Sequence, residues 1–296
     1  MEQGRFLTSE TYPALDEVEG VPLLKSTCNE WSRIQCFQAK PNDILICTYP
    51  KSGTTWIQEI VDMIQQDGDL QKCQRASLHY RHPFIEWAKP YQPLGVDQAD
   101  RMPSPRTLKT HLPIQLLPKS FWMESCKVFI AEAKPSPEDL KNSVNEQYVT
   151  LSWNMGGIFE DFHGRQGFLP FSVLYLPVAW GSWYNHVKDW WRAKDTYRVL
   201  YLFYEDLKKD PKCEIQKITQ FIGKQVDMAT LDKIVHHTSF EVMKQNPMVN
   251  RTIWCDCVTG TVGDWKHHFT VAENELFDED YLKKMSYTGL SFTMEL

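Results

Sequence analysis

Thr48-Tyr49-Pro50-Lys51-Ser52-Gly53-Thr54-Thr55-Trp56 sits between two segments of opposite character. Before it, Asp43-Ile44-Leu45-Ile46-Cys47 is a short apolar run of strand type. After it, Trp56, Ile57, Ile60, Val61 and Ile64 recur at helical spacing, with Gln58, Glu59, Asp62 and Gln65 on the other face. The order is therefore strand, tight polar loop, amphipathic helix. A loop in that place aims the unbonded N–H groups of the first helical turn at whatever lies in front of it. Those donors and the positive end of the helix dipole suit a phosphate. Gly53 lets the backbone come close, Ser52, Thr54 and Thr55 add hydroxyl donors, and Lys51 adds a mobile positive charge. The plainer alternative is an ordinary strand-to-helix turn with a capping threonine. The flanking strand and helix favour phosphate binding. The common nucleotide loop, Gly-x-x-x-x-Gly-Lys-[Ser/Thr], is a different pattern, because here the Lys precedes the Gly.

Working outward, Arg106-Thr107-Leu108-Lys109-Thr110-His111-Leu112-Pro113 reads as a short strand ending at a histidine. In open α/β sheets ligands sit beyond the carboxyl ends of the strands. Lys109 and His111, two apart, point to the same side there. His111 is then either a general base near neutral pH or a hydrogen-bonded structural histidine. Lys127 to Ala131 and Arg198 to Tyr204 are further strands. Val18 to Leu24 reads as an edge strand, and Trp31 to Phe37 as a short helix or extended piece. Helices are expected over Trp180 to Trp191, Pro211 to Ile222 (closed by Gly223), Met228 to Val235 and Glu273 to Met285, with another beginning at Ser239. Residues 67–105 are rich in turn residues. Within them His82-Pro83-Phe84-Ile85-Glu86-Trp87 offers aromatics that either wall a pocket or pack on the core. Strands alternating with helices predict an α/β fold with a central parallel sheet, in one domain over residues 1–296. Residues 132–178 are atypical and carry no clear period.

At 296 residues the chain has ample length for a core, and 42% hydrophobic with 24% charged residues is ordinary for a globular protein. The net charge of −6 argues against a general nucleic-acid binder. With 11 Trp, 12 Tyr and 15 Phe, a pocket for flat apolar molecules and a large core are equally well supplied. Eight Cys are scattered without a CxxC pair; Cys255 and Cys257 are too close for an ordinary zinc pair, so no metal is expected. The start of the chain shows no signal-peptide core, and a cytoplasmic protein with reduced thiols is expected. The apolar run Phe168 to Trp180 contains Pro170 and Pro177 and is too short to span a membrane.

Five segments, TYPKSGTTW (48–56), LKTHLP (108–113), LYLFYEDLKKDP (200–211), HHTSFEVMKQNPM (236–248) and GTVGDWKHHFT (260–270), occur in an order that resembles the cytosolic sulfotransferases. The resemblance covers about 18–130 and 180–296. It points to the branch that sulfates phenols and alcohols, with the 1C group nearest. It implies transfer of a sulfuryl group from 3′-phosphoadenosine 5′-phosphosulfate (PAPS) to the hydroxyl or amine of a small acceptor, without a metal. It also implies that Lys51, Ser52, Gly53, Thr54 and Thr55 cradle the 5′-phosphate in a P-loop-like turn, Lys51 meeting the bridging oxygen, with Trp56 against the adenine. Tyr204, Thr238, Ser239, Phe240 and Gly260 match positions near the nucleotide. His111 matches the general base, Lys109 lies beside the transferred group, and Phe84 matches a wall of the acceptor pocket. Lys266, Thr270, Val271 and Glu275 fit the family's Lys-x-x-x-Thr-Val-x-x-x-Glu dimer motif, which implies a homodimer.

The chain departs from that pattern in two places. After the strand at 127–131, the family's 3′-phosphate-binding Arg falls on Glu132 or Ala133, with Ser136 and Ser143 out of register for the accompanying Ser. Before Gly-Asp-Trp-Lys, Val258-Thr259-Gly260 stands where the family has Arg-Lys-Gly. A charge-assisted hydrogen bond is worth roughly 1.5–3 kcal/mol. Losing two would weaken cofactor binding by about a hundredfold to ten-thousandfold. Two alternatives follow: a catalytically impaired relative that only binds or dimerises, and, outside the resemblance, a P-loop kinase or nucleotidase, for which no magnesium carboxylate is evident.

Overall fold

A computed structural model describes residues 14–89, 92–133, 179–249 and 271–292. Two short strands, β1 (Leu15–Val18) and β2 (Val21–Leu24), open it. They pair antiparallel with each other and form a separate two-stranded sheet. The single edge strand expected over Val18–Leu24 is thus a hairpin. Glu19 and Gly20 take φ of 50° and 76°, the two successive positive values of a tight turn that folds the strand back.

Four strands build the central sheet: β3 (Ile44–Thr48), β4 (Thr107–Thr110), β5 (Lys127–Glu132) and β6 (Val199–Phe203). Their order is β4-β3-β5-β6 and every pairing is parallel, as expected. Alternate residues feed two cores. Leu45, Cys47, Leu108, Val128 and Ile130 pack with Phe37, Leu112 and Trp190 on one face. Ile44, Ile46, Phe129, Ala131 and Leu202 pack with Ile57, Ile60, Ile215 and Leu231 on the other. A sheet covered on both faces is what continuous apolar strands require. A third cluster joins Tyr49, Trp183 and Tyr184 to Tyr281, Met285, Leu290 and Phe292 near the end of the chain.

The helix after the loop, Thr54–Gln65, is buried on more than its apolar side. Gln58, Glu59 and Asp62, expected on a polar face, are all buried. Arg81 donates to Glu59 Oε2 at 2.8 Å and to Asp62, and Arg75 donates to Asp62 Oδ1 at 2.7 Å. Burial alone would raise the Asp62 carboxyl, but His82, Arg75 and Arg81 hold it well below the usual carboxylate range. Buried carboxylates are tolerable because the two guanidinium groups meet them.

Other boundaries shift modestly. The Trp180–Trp191 helix is Trp183–Ala193, and Trp180 lies in a turn at φ 67°. β6 runs straight into a helix, Tyr204–Lys209, that periodicity did not show. Pro211–Ile222 is capped by the Asp210 side chain on Cys213 N–H at 3.0 Å and closed by Gly223 at φ 85°. Met228–His237, Phe240–Gln245 and Val271–Met285 complete the described helices of the second half. The turn-rich 67–105 contains three short helices, Leu70–Cys73, Leu78–Arg81 and Gly95–Asp100. No described helix is long and apolar enough to cross a membrane. The atypical segment lies outside the described residues from 134 to 178.

Candidate active site

The carboxyl ends of β3, β4 and β5 set the site. β3 ends at Thr48 and the chain turns through Tyr49 to Gly53. Lys51 and Gly53 hold φ of 72° and 84°, so the loop is bent through two left-handed residues. A Cβ on Gly53 would stand 2.8 Å from Tyr204 Cδ2. Glycine is therefore required twice over, by its dihedral and by its neighbour. Among the loop hydroxyls, Thr54 Oγ1 pairs with Thr48 Oγ1 at 2.6 Å and Ser52 Oγ donates to Glu132 Oε2 at 3.3 Å. Both Ser52 and Thr54 are buried, whereas Lys51 and Thr55 are exposed.

Beside the loop, Trp56 meets Tyr204 edge to face at 5.5 Å between ring centroids. Lys208, one turn after Tyr204, puts its Nζ 5.7 Å from the Trp56 ring and 5.9 Å from the Phe240 ring. Trp56, with Tyr204 against it, and Phe240 are therefore brought to one cation that sequence reasoning did not single out. Its signal was the i, i+4 spacing from Tyr204. Ser239 stands at the N-cap of the Phe240–Gln245 helix. The buried Thr238 donates its hydroxyl to the Ile234 carbonyl at 2.9 Å. Gly260, Lys266 and Thr270 lie outside the described residues; Val271 and Glu275 are exposed on the first turns of the last helix.

On the other side of the loop stands His111, just past the end of β4. Its Nδ1 lies 2.7 Å from the Thr48 carbonyl oxygen and 3.3 Å from Thr48 Oγ1. A carbonyl only accepts, so Nδ1 carries the proton and Nε2 carries the lone pair. Burial pushes the imidazole well below its ordinary 6.5, and the Lys109 charge adds to that, while the bond to Thr48 opposes it. The ring is neutral at physiological pH and can accept a proton at Nε2. Phe84 lies edge-on to it at 4.9 Å, and Trp180 at 5.4 Å. Lys109 Nζ sits 4.5 Å over the Phe84 ring, so Phe84, Lys109 and His111 meet. Trp87 and Trp180 stack on Phe84 at 5.4 and 6.1 Å. Phe84 thus leans on His111 with Trp87 stacked behind it, and Trp180, expected inside a helix, joins them because its turn swings the ring back.

Glu86 holds this corner from behind. Its Oε1 accepts the His111 amide at 2.6 Å and Trp180 Nε1 at 3.1 Å, and its Oε2 accepts Thr110 Oγ1 at 2.9 Å. Burial lifts the carboxyl to about 7 against these donors. Together the site offers an anion-shaped loop, an aromatic nest with a cation, and a neutral histidine facing an aromatic wall. Among the described residues no group of three or more His, Cys, Asp or Glu could hold a metal ion.

A sulfotransferase domain matches residues 41–289. Human sulfotransferase 1C2 is 53% identical over 95% of this chain and 96% of its own length. The mouse sulfotransferase 1 family member D1 is 44% identical over the same shares. Among solved structures, mouse sulfotransferase SULT7A1 complexed with PAP superposes with a TM-score of 0.69 at 28% identity, covering 92% of this chain and 94% of that one. Retinol dehydratase in a complex with retinol and PAP shares the fold at a TM-score of 0.75 and 20% identity, over 93% and 90%. On the match over most of its length and the identity to its relatives, the chain belongs to the sulfotransferase family, in the 1C group.

Proposed function

We propose that the protein transfers a sulfuryl group from PAPS to the hydroxyl of a small phenolic or alcoholic acceptor, with His111 as general base. The observation that carries this is the Thr48–His111 bond. It fixes the tautomer, and it ties the proton acceptor to the last residue before the anion loop. The bent loop and the Trp56–Tyr204–Phe240 nest fit the 5′-phosphate and base of the nucleotide, and the structure of the relative complexed with PAP supports that fit. PAPS supplies an activated sulfuryl group on its 5′-phosphate. The acceptor lies against Phe84, Trp87 and Trp180, and His111 Nε2 takes its hydroxyl proton as the oxygen attacks sulfur. The S–O bond to the 5′-phosphate breaks, and the charge that grows on the departing phosphate is met by the loop amides and Lys51. Lys109, over Phe84, lies where it can steady the sulfuryl oxygens. Val271 and Glu275 belong to the surface of a homodimer.

Radiolabelled transfer from PAPS to a panel of phenols tests this. His111→Ala is expected to lower kcat by about 10²–10⁴-fold, the usual contribution of a positioned base. Full activity in that variant would remove His111 from the chemistry. A second reading, a binding or dimer subunit with impaired transfer, is favoured by Glu132 and Ala133 standing where the family's 3′-phosphate Arg is expected. Calorimetric titration with adenosine 3′,5′-bisphosphate beside 5′-AMP separates the two. Preference for the bisphosphate supports the enzyme, and equal binding supports the impaired relative.

A further inference from the structure

A carboxyl stands under the anion loop. Glu132 ends β5 and is fully buried. Its Oε1 accepts the Tyr49 amide at 3.1 Å and its Oε2 accepts the Ser52 hydroxyl at 3.3 Å, so one side chain spans the loop from below. The titratable and charged groups around it are Cys47 from β3, Tyr49 from the loop, Tyr201 from β6, Glu205 after β6, and His186 from the Trp183–Ala193 helix. Cys47, Tyr49 and Tyr201 are pushed up by burial and stay neutral. His186 Nε2 lies 3.8 Å from Glu132 Oε1, but burial holds that imidazole down to about 3, so it is no cation. Glu205 adds charge of the same sign. Burial, with Glu205 adding to it, therefore pushes the Glu132 carboxyl well above its ordinary 4.5.

We propose that Glu132, strapped to the underside of the loop through the Tyr49 amide and the Ser52 hydroxyl, is a positioning residue, and that a carboxylate there and an anion in the loop exclude each other. The coupling runs through Ser52. When Glu132 is a carboxylate, Ser52 Oγ–H donates to it and that hydrogen is turned away from the ligand. When Glu132 is protonated, Oε2–H donates to Ser52 Oγ, and the serine hydrogen is released to point into the loop. Binding to the carboxylate form thus takes up one proton, which resides on Glu132 Oε2. The proposal rests on the loop being the cradle of the donor nucleotide's 5′-phosphate.

Glu132→Gln keeps an oxygen for the Tyr49 amide and removes the titrating proton. The test is calorimetric titration of wild type and Glu132→Gln with adenosine 3′,5′-bisphosphate from pH 6 to 9, in buffers of different ionisation enthalpy. In wild type, affinity is expected to fall about tenfold per pH unit above the Glu132 ionisation, with uptake of one proton. In Glu132→Gln that fall is absent, and only the ligand's own titration, common to both proteins, remains. Identical profiles in the two proteins overturn the proposal. If neither protein binds the bisphosphate at any pH, the nucleotide reading fails, and the strap is then judged on the protein alone. At pH 7 a protonated-carboxyl infrared band weaker in Glu132→Gln than in wild type supports it; equal bands in the two proteins overturn it.

Discussion

Glu86 gathers three donors from two separate segments: the Thr110 hydroxyl and His111 amide at the end of β4, and the Trp180 indole. It thereby couples the proton acceptor to the aromatic wall without touching either reacting group. Glu86→Ala leaves the buried His111 N–H unpaired, at about 1–3 kcal/mol, and frees the half-buried Trp180 indole N–H. Thermal unfolding should show that loss, and turnover should fall because His111 and Trp180 are no longer fixed. Glu86→Gln keeps one oxygen for both N–H groups, while its amide can donate to Thr110 Oγ1, so it should restore most of both. Equal damage in the two variants would mean that shape, not the acceptor oxygen, is what matters at this position. None of this was legible in the sequence. Glu86 lies in a run notable only for its aromatics, and its donors come from residues 24, 25 and 94 positions away. The loop residues were legible, because a strand, a Lys-Ser-Gly-Thr turn and a helix are contiguous and local geometry fixes them.

At the scale of elements, the turn between β3 and the Thr54–Gln65 helix depends on the helix that follows β6. Tyr204 packs over Gly53 and beside Trp56, so the two helix starts are locked against each other. Gly53→Ala must hold φ 84° with a side chain, a strain of about 1–3 kcal/mol, and must displace the Tyr204 ring. The expected outcome is a lower melting temperature together with weaker binding of adenosine 3′,5′-bisphosphate in calorimetry. Unchanged affinity would show that the loop can reach its working shape without the Tyr204 contact. Three of the four strands of the central sheet, β3, β5 and β6, were readable as apolar runs, since a parallel sheet buries both faces. The polar side of the Thr54–Gln65 helix was not. Glu59 and Asp62 look like a solvent face by periodicity, but Arg75, Arg81 and His82 arrive from the turn-rich segment and bury them. Hydrophobic pattern records polarity and is blind to partners that come from elsewhere in the chain. The hairpin at 15–24 and the helix after β6 were missed because each is set by a change of direction, at Glu19-Gly20 and at Tyr204, that hydrophobic period alone does not mark.

At the scale of the molecule, two surfaces of the reading meet solution measurements. Val271 is 76% exposed on the first turn of the last helix, so Val271→Glu should leave the fold intact and shift sedimentation from dimer to monomer. A wild type already monomeric at assay concentration would remove that surface from the account. The second measurement concerns pH, because four titratable groups are buried at the end of one sheet. Glu86 and Glu132 are raised by burial, Glu86 to about 7 and Glu132 well above 4.5. A carboxyl raised on folding contributes stability that is complete below its unfolded value and lost as pH climbs through its folded one. His111 and His186 are lowered by burial, His186 to about 3. A histidine lowered on folding contributes stability that is complete above its unfolded 6.5 and lost as pH falls through its folded value. Between 4.5 and 6.5 the two pairs act in opposite directions and largely cancel. Below 4.5 only the histidines among these four still act, and stability falls with acid. Above 6.5 only the glutamates do, and stability falls with base. The midpoint of urea unfolding should therefore trace a plateau from about pH 4.5 to 6.5 with a decline on each side. Glu86→Gln should flatten the basic limb near pH 7 and leave the acid limb in place. A midpoint that rose steadily from pH 6.5 to 8 would show that these carboxyls ionise in the folded protein as they do in water, and that the ground under the loop and His111 is wetter than its burial implies.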